Sequence, residues 1–179
     1  VGVIKLLTWE KHRGGIRITM VAGMEALLDY RQKQENVRRV SELLSVPRER
    51  AAEGVERAME SAARQKEQAN ALAMEYAALK AASLPETAGN LCLFENRLDE
   101  IALRELVNLM ADKCDGLACV FTGDDENGYR YIIVSRHLDL RQLTGSINAA
   151  LSGRGGGRGE MIRGSCQAHA DTIREFLDK

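Results

Sequence analysis

The sequence predicts a mixed fold of the α+β or α/β kind in three parts: remnant strands, a long coiled-coil-like helical linker, and a small α/β domain. Three observations carry this reading. Residues 3–21 hold two strand-like runs around a glycine turn. Residues 24–82 keep helical spacing with one break. From residue 88 onward, short apolar runs alternate with amphipathic helical ones.

The first part spans residues 1–30. Val3, Ile4, Leu6 and Leu7 form an apolar run, His12-Arg13-Gly14-Gly15 a turn, and Ile16 to Val21 an alternating strand. Gly23 precedes a helix start at Met24 to Tyr30. Two strands make no stable sheet alone, so this part is expected to need further strands or another surface. The chain begins without Met and in mid-strand, which reads as a piece of a longer protein.

The linker spans residues 31–84. At Ser45-Val46-Pro47 one helix stops and another starts, with Ser45 as a cap and Pro47 in the first turn. Beyond it Val55, Met59, Ala62, Ala69, Leu72, Tyr76 and Leu79 recur at helical spacing. A stripe so narrow and rich in Ala is expected to lie against a partner helix or a second copy of the chain. A solvated spacer helix is the plainer alternative. Leu84-Pro85 ends it.

Residues 88–179 form the α/β part. Leu91 to Phe94 reads as a strand, and Asp99 to Lys113 as a helix whose apolar side is Ile101, Leu103, Leu106, Val107, Leu109 and Met110. Leu117 to Phe121 and Tyr129 to Val134 are strands around the turn Gly123 to Gly128. Asp139 caps a helix running to Leu151. A glycine loop follows, then a helix from about Cys166 to Asp178, giving the order β-α-β-β-α-loop-α.

The loop carries the candidate chemistry. Gly153, Gly155, Gly156, Gly157 and Gly159 crowd into seven positions, at an entropic cost that stability alone does not explain. They let the backbone approach something closely, and exposed N–H groups beside a helix start make an anion cradle. Arg154, Arg158 and Arg163 add planar cationic forks suited to phosphate, with only Glu160 against them. The spacing fits neither a P-loop nor a dinucleotide fingerprint. A flexible linker would carry Ser beside Gly.

Composition excludes little. The net charge of −1 gives no support to a polyanion partner, but the distribution is uneven. Residues 1–20 carry four Lys/Arg against the single Glu10, and Lys11, Arg13 and Arg17 are candidate phosphate contacts there. Residues 86–145 carry eleven acidic against six basic residues, so a polyanion is expected at the ends of the chain and not in the middle of its last domain. No apolar run reaches the ~20 residues that span a bilayer, and no signal peptide opens the chain; a cytoplasmic protein with reduced thiols is expected. Cys92, Cys114, Cys119 and Cys166 lack zinc-ribbon spacing. Cys166 and His169 could share a helix face, but two ligands make a poor metal site.

The segment from Leu151 through Gly153-Arg-Gly-Gly-Gly-Arg-Gly-Glu-Met-Ile-Arg-Gly164 resembles the DHHA1 domain. That domain closes alanyl-tRNA synthetases, their free-standing editing relatives and the DHH phosphodiesterases, and Gly159-Glu160-Met161 looks most like the synthetase type. Val1 through Leu7 and His12 through Gly23 are similar to the last strands of the alanyl-tRNA editing domain. Ala26 to Tyr30 and Leu43 to Pro47 resemble the helix that joins editing and DHHA1 domains.

The resemblance implies a tRNA-binding and dimerising portion of an alanyl-tRNA editing protein, with alanine tRNA and a second copy as partners. It also implies an upstream zinc site that hydrolyses mischarged alanine tRNA, held by His-x-x-x-His and Cys-x-x-x-His pairs. Neither spacing occurs among His12, His137, His169 and the cysteines, so no cofactor and no deacylation are expected of this chain. Two alternatives stay open: a DHH phosphodiesterase tail for short oligonucleotides or cyclic dinucleotides, although no Asp-His-His occurs, and a coiled-coil scaffold.

Overall fold

A computed structural model describes residues 2–178; Val1, where the editing-type resemblance starts, and Lys179 lie outside the described residues. The chain divides into two compact units, residues 1–65 and 66–179.

In the first unit β1 (Ile4–His12) and β2 (Gly15–Ala22) form an antiparallel hairpin, and α1 (Met24–Leu44) follows. The turn residues Arg13 and Gly14 both take positive φ, 40° and 82°, the type I′ geometry whose twist suits a two-residue hairpin. Lys5 reaches Asp29 at 2.7 Å and fixes α1 to β1. The hairpin leaves Leu6, Trp9, Ile16 and Ile18 exposed, as expected of two strands with no further sheet.

The break after α1 differs from the expected one. Ser45 takes φ 52° at the C-terminal cap of α1, so it ends a helix and does not start one. Pro47 precedes a 3-10 turn (Arg48–Arg50), and α2 (Ala51–Ala82) begins after it.

The second unit is built on a five-stranded sheet of order β3-β4-β5-β7-β6. Its elements are β3 (Leu91–Phe94), α3 (Glu100–Ala111), β4 (Ala118–Asp124), β5 (Gly128–Val134), α4 (Leu140–Ala150), β6 (Gly153–Arg158), β7 (Met161–Cys166) and α5 (Ala170–Leu177). Only β3 and β4 run parallel, joined through α3; the other neighbours are antiparallel partners. Asp99 and Asp139 cap α3 and α4 by accepting from the N–H groups of Ala102 and Arg141.

Alternation along the strands separates two cores. Ala118, Val120, Ile132 and Val134 face α3 and the last turns of α2, while Cys119, Phe121, Tyr131, Ile133 and Ile162 face α4 and α5. Helices therefore cover both faces of the sheet.

The expected glycine loop is corrected here. Residues 153–158 are an edge strand and not a loop, and Met161–Cys166 is its partner strand; the order is β-α-β-β-α-β-β-α. Glycine composition hid the strand, because β propensity reads a row of glycines as a breaker. The α2 stripe stays uncovered within the chain, and the helix also presents a second, packed face that the periodicity did not mark. Ala73, Met74, Ala77 and Ala81 pack into the domain core, whereas Val55, Met59, Leu72, Tyr76 and Leu79 remain exposed. Small side chains let the helix approach its neighbours closely, and a count of large apolar residues passes over them. Ile101, expected on the apolar side of α3, is also exposed.

Candidate nucleic-acid interface

The register of β6 sorts its residues into two classes. Gly153, Gly155 and Gly157 pair with Cys166, Gly164 and Ile162 on the α4 side; Arg154, Gly156 and Arg158 pair with Ser165, Arg163 and Met161 on the α3 side. The fold itself demands the first class. A Cβ on Gly155 would sit 2.1 Å from the Tyr131 hydroxyl, and one on Gly157 would sit 2.0 Å from the Met161 carbonyl oxygen. Tyr131 donates to Asn148 Oδ1 at 2.8 Å, and Asn148 Nδ2 donates to the Gly155 carbonyl at 3.0 Å. This relay ties the edge strand to α4 and to the centre of the sheet.

Gly159 (φ 62°) and Glu160 make the turn between β6 and β7. Glu160 pairs with Arg136 at 3.3 Å, so it is turned to the other end of the turn and not to the strand arginines. Within β6 only Gly156 is left without a structural reason: a Cβ there would have no atom within 4 Å. The close approach inferred from the five glycines thus has separate origins, with Gly153, Gly155 and Gly157 serving the sheet and Gly156 facing open space.

On the α3 side a basic surface is assembled. α3 packs over β4 and β5 and leaves β7 and β6 uncovered. Across the uncovered lanes run Arg130, Ser165 and Arg154 in one row and Ile132, Arg163 and Gly156 in the next. Arg104 and Glu100 form the wall on α3. Two adjoining hollows share Glu100, Ile132 and Arg163, one of about 310 Å³ beside Gly156 and Arg158, the other of about 470 Å³ beside Arg130 and Arg154. Glu100 is the single acid lining either hollow, and it holds Arg163 at 2.8 Å. Arg104, Arg130, Arg154 and Arg158 have no ion pair among the described residues.

The structure brings Arg154, Arg158 and Arg163 onto one face around Gly156, with backbone supplied by a strand edge in place of the expected helix start. It adds Arg104 and Arg130, which linear charge counting placed in the acidic stretch of the last domain. Only strand register and helix phase show that these two turn toward the glycine strand.

Lys11, Arg13 and Arg17 do not converge. Arg17 stands opposite Glu10 in register and bonds it at 2.9 Å, while Lys11 stands opposite Ile16 on the other face of the hairpin. Arg13 occupies the turn.

The helix expected from about Cys166 is also corrected: Cys166 ends β7 and His169 precedes α5, so they share no helix face. The four cysteines are free thiols. Burial pushes Cys92 up to about 11 and raises Cys114, Cys119 and Cys166 as well, which disfavours the thiolate that metals bind. The described residues contain no cluster of three His, Cys, Asp or Glu side chains able to hold a metal.

A sheet clad by helices on both faces, with an arginine-rimmed lane along its glycine edge, defines a domain suited to binding polyanions. The DHHA1 domain model matches residues 87–179, and the chain belongs to that family. It is 27% identical over 85 residues to an alanine–tRNA ligase of Acholeplasma laidlawii (strain PG-8A), a match covering 48% of this chain and 10% of the ligase. Among solved structures, the C-Ala domain of Aquifex aeolicus alanyl-tRNA synthetase aligns with a TM-score of 0.40 and 13% identity, over 50% of this chain and 87% of that one. The chain thus spans about a tenth of the length of the curated relative it matches.

Proposed function

We propose that the chain is the tRNA-binding and dimerising portion of an alanyl-tRNA editing protein, acting in the cytoplasm on alanine tRNA that a zinc site outside this chain deacylates. One observation carries the binding role: five arginines against one glutamate along an uncovered sheet lane with an open glycine at its centre. Guanidinium forks and backbone N–H groups grip phosphate without reading sequence, which suits the folded shape of a tRNA. Family membership and the similarity to an alanine–tRNA ligase support tRNA as the polyanion. The hairpin's likeness to the end of an editing domain and its exposed apolar surface support the editing context.

The test is tRNA binding across a salt series. Replacing Arg154, Arg158 and Arg163 with Ala should weaken binding strongly at low salt. It should also flatten the salt dependence by about 0.7–0.9 of a slope unit for each phosphate that the protein no longer neutralises. A variant that binds with the parent's slope overturns the assignment of the lane. Neither the parent chain nor the variant should deacylate mischarged alanine tRNA in an assay where a complete editing enzyme does.

A further inference from the structure

β6 lies at the edge of the sheet, with β7 on one side and, among the described residues, no strand on the other. Four of its six residues are glycine, the residue with the widest backbone freedom, so pairing with β7 alone leaves its outer side free to bend. Arg154, Gly156 and Arg158 share the α3 side of this strand, and their spacing there depends on its staying straight.

Support comes from the opposite face. Tyr131 stands opposite Gly164, which stands opposite Gly155, and a Cβ on either glycine would lie within 2.6 Å of the Tyr131 hydroxyl. That hydroxyl donates to Asn148 Oδ1 at 2.8 Å, which leaves Nδ2 as the donor to the Gly155 carbonyl at 3.0 Å. Burial raises the Tyr131 phenol, so the group stays protonated and keeps this polarity. Among the described residues the Asn148 bond is the only side-chain hydrogen bond that reaches β6. The Gly155 carbonyl and the Gly156 N–H belong to one planar peptide unit, so a bond to the first fixes the second.

From this chain of contacts we propose that Asn148 is a positioning residue of the phosphate lane: from the far face of the sheet it holds the β6 backbone at Gly155, and with it the spacing of Arg154, Gly156 and Arg158. A strand held in advance spares the complex the cost of ordering it on binding. The inference rests on the polyanion reading of the lane and adds to it a residue that touches no ligand.

The experiment measures tRNA affinity and thermal melts of the full chain for four variants. They are Asn148→Leu, which keeps the volume and removes both bonds, Tyr131→Phe, the double variant, and Glu95→Gln. The last destabilises the fold beside β3, at the other edge of the sheet from β6. Asn148→Leu should bind about three- to tenfold more weakly, the worth of one hydrogen bond. Tyr131→Phe should lose less, and the double variant should bind like Asn148→Leu, because the hydroxyl acts through the amide. Hydrogen exchange at the Gly156 amide should quicken in Asn148→Leu and not in Glu95→Gln, which should melt lower yet bind like the parent. Parental affinity in a folded Asn148→Leu, or an equal loss in Glu95→Gln, overturns the positioning role and leaves the lane standing. Should Asn148→Leu fail to fold, Tyr131→Phe carries the test, and parental affinity there overturns the proposal. A parent chain that does not bind tRNA overturns the lane itself.

Discussion

Gly155 and Gly156 are neighbours in sequence with opposite duties. Gly155 is pressed between Tyr131 and the β7 backbone, so Gly155→Ala should displace the edge strand and lower stability by about 1–3 kcal/mol or prevent folding. Gly156→Val adds atoms to open space and should melt at the parent's temperature or slightly above, because a β-branched residue suits a strand. It should nonetheless bind tRNA much more weakly, since its side chain stands between Arg154 and Arg158 on the face of the lane. A Gly156→Val protein that melts normally and binds normally removes Gly156 from the interface. The sequence exposed the glycine cluster and its arginines but could not separate these duties. The separation depends on which residue faces α4, and that is a matter of strand register. Arg104 and Arg130 escaped notice for the same reason. The thiols carry a simpler expectation: with burial holding Cys92 near 11 and raising Cys114, Cys119 and Cys166, alkylation at pH 8 should be slow in the folded chain and fast after unfolding.

At the scale of elements, the last turns of α2 are held to the sheet by Ala77 and Ala81 and by one charged tether. Lys80 pairs with Glu95 just beyond β3, and Tyr76 donates to the same carboxylate at 3.3 Å. Burial alone would raise the Glu95 carboxyl, but bonds from Lys80 and the Arg97 N–H outweigh it and hold it below its ordinary value of 4.5. Burial likewise opposes the charge of Lys80, yet Glu95 raises it above 10.5. The signs fix the window. The carboxylate contributes stability that is present above pH 4.5 and lost as pH falls through its depressed value. The ammonium contributes stability that is present below pH 10.5 and lost as pH rises through its raised value. Unfolding of the second unit should thus ease as pH falls below 4.5, and Glu95→Gln should flatten that acid limb while costing about 3 kcal/mol at neutral pH. A variant with the parent's acid limb assigns the sensitivity to other carboxylates. Sequence periodicity located α2 and its length, and the cap Asp139 of α4 was legible from residue type alone. The face on which α2 packs was not, because small residues close the contact and large ones stay outside it.

For the whole molecule, the balance of exposed and buried apolar residues bears on assembly. The hairpin leaves Leu6, Trp9, Ile16 and Ile18 exposed, and α2 leaves Val55, Met59, Leu72, Tyr76 and Leu79 exposed at helical spacing. Scattered apolar side chains are ordinary on a surface, but a periodic row along a 32-residue helix is not. A helix with such a row is marginal in water unless a second surface covers it. The row carries both Ala and large residues, Ala62 and Ala69 between Met59 and Leu72, which lets two helices approach closely where the small residues meet. The expected state is therefore a homodimer of the 19.8 kDa chain, with the row on α2 inside the interface. Light scattering at several concentrations should give twice the chain mass, falling toward the chain mass on dilution if association is weak. Leu72→Glu with Leu79→Glu should shift the equilibrium to monomer without altering the second unit's fold, since both side chains point away from its core. Binding to tRNA then separates the two roles. If the lane acts within each chain, the monomeric variant binds one tRNA with a similar salt slope and loses only the gain that comes from two linked sites. A chain that stays at monomer mass at every concentration removes the α2 row from assembly.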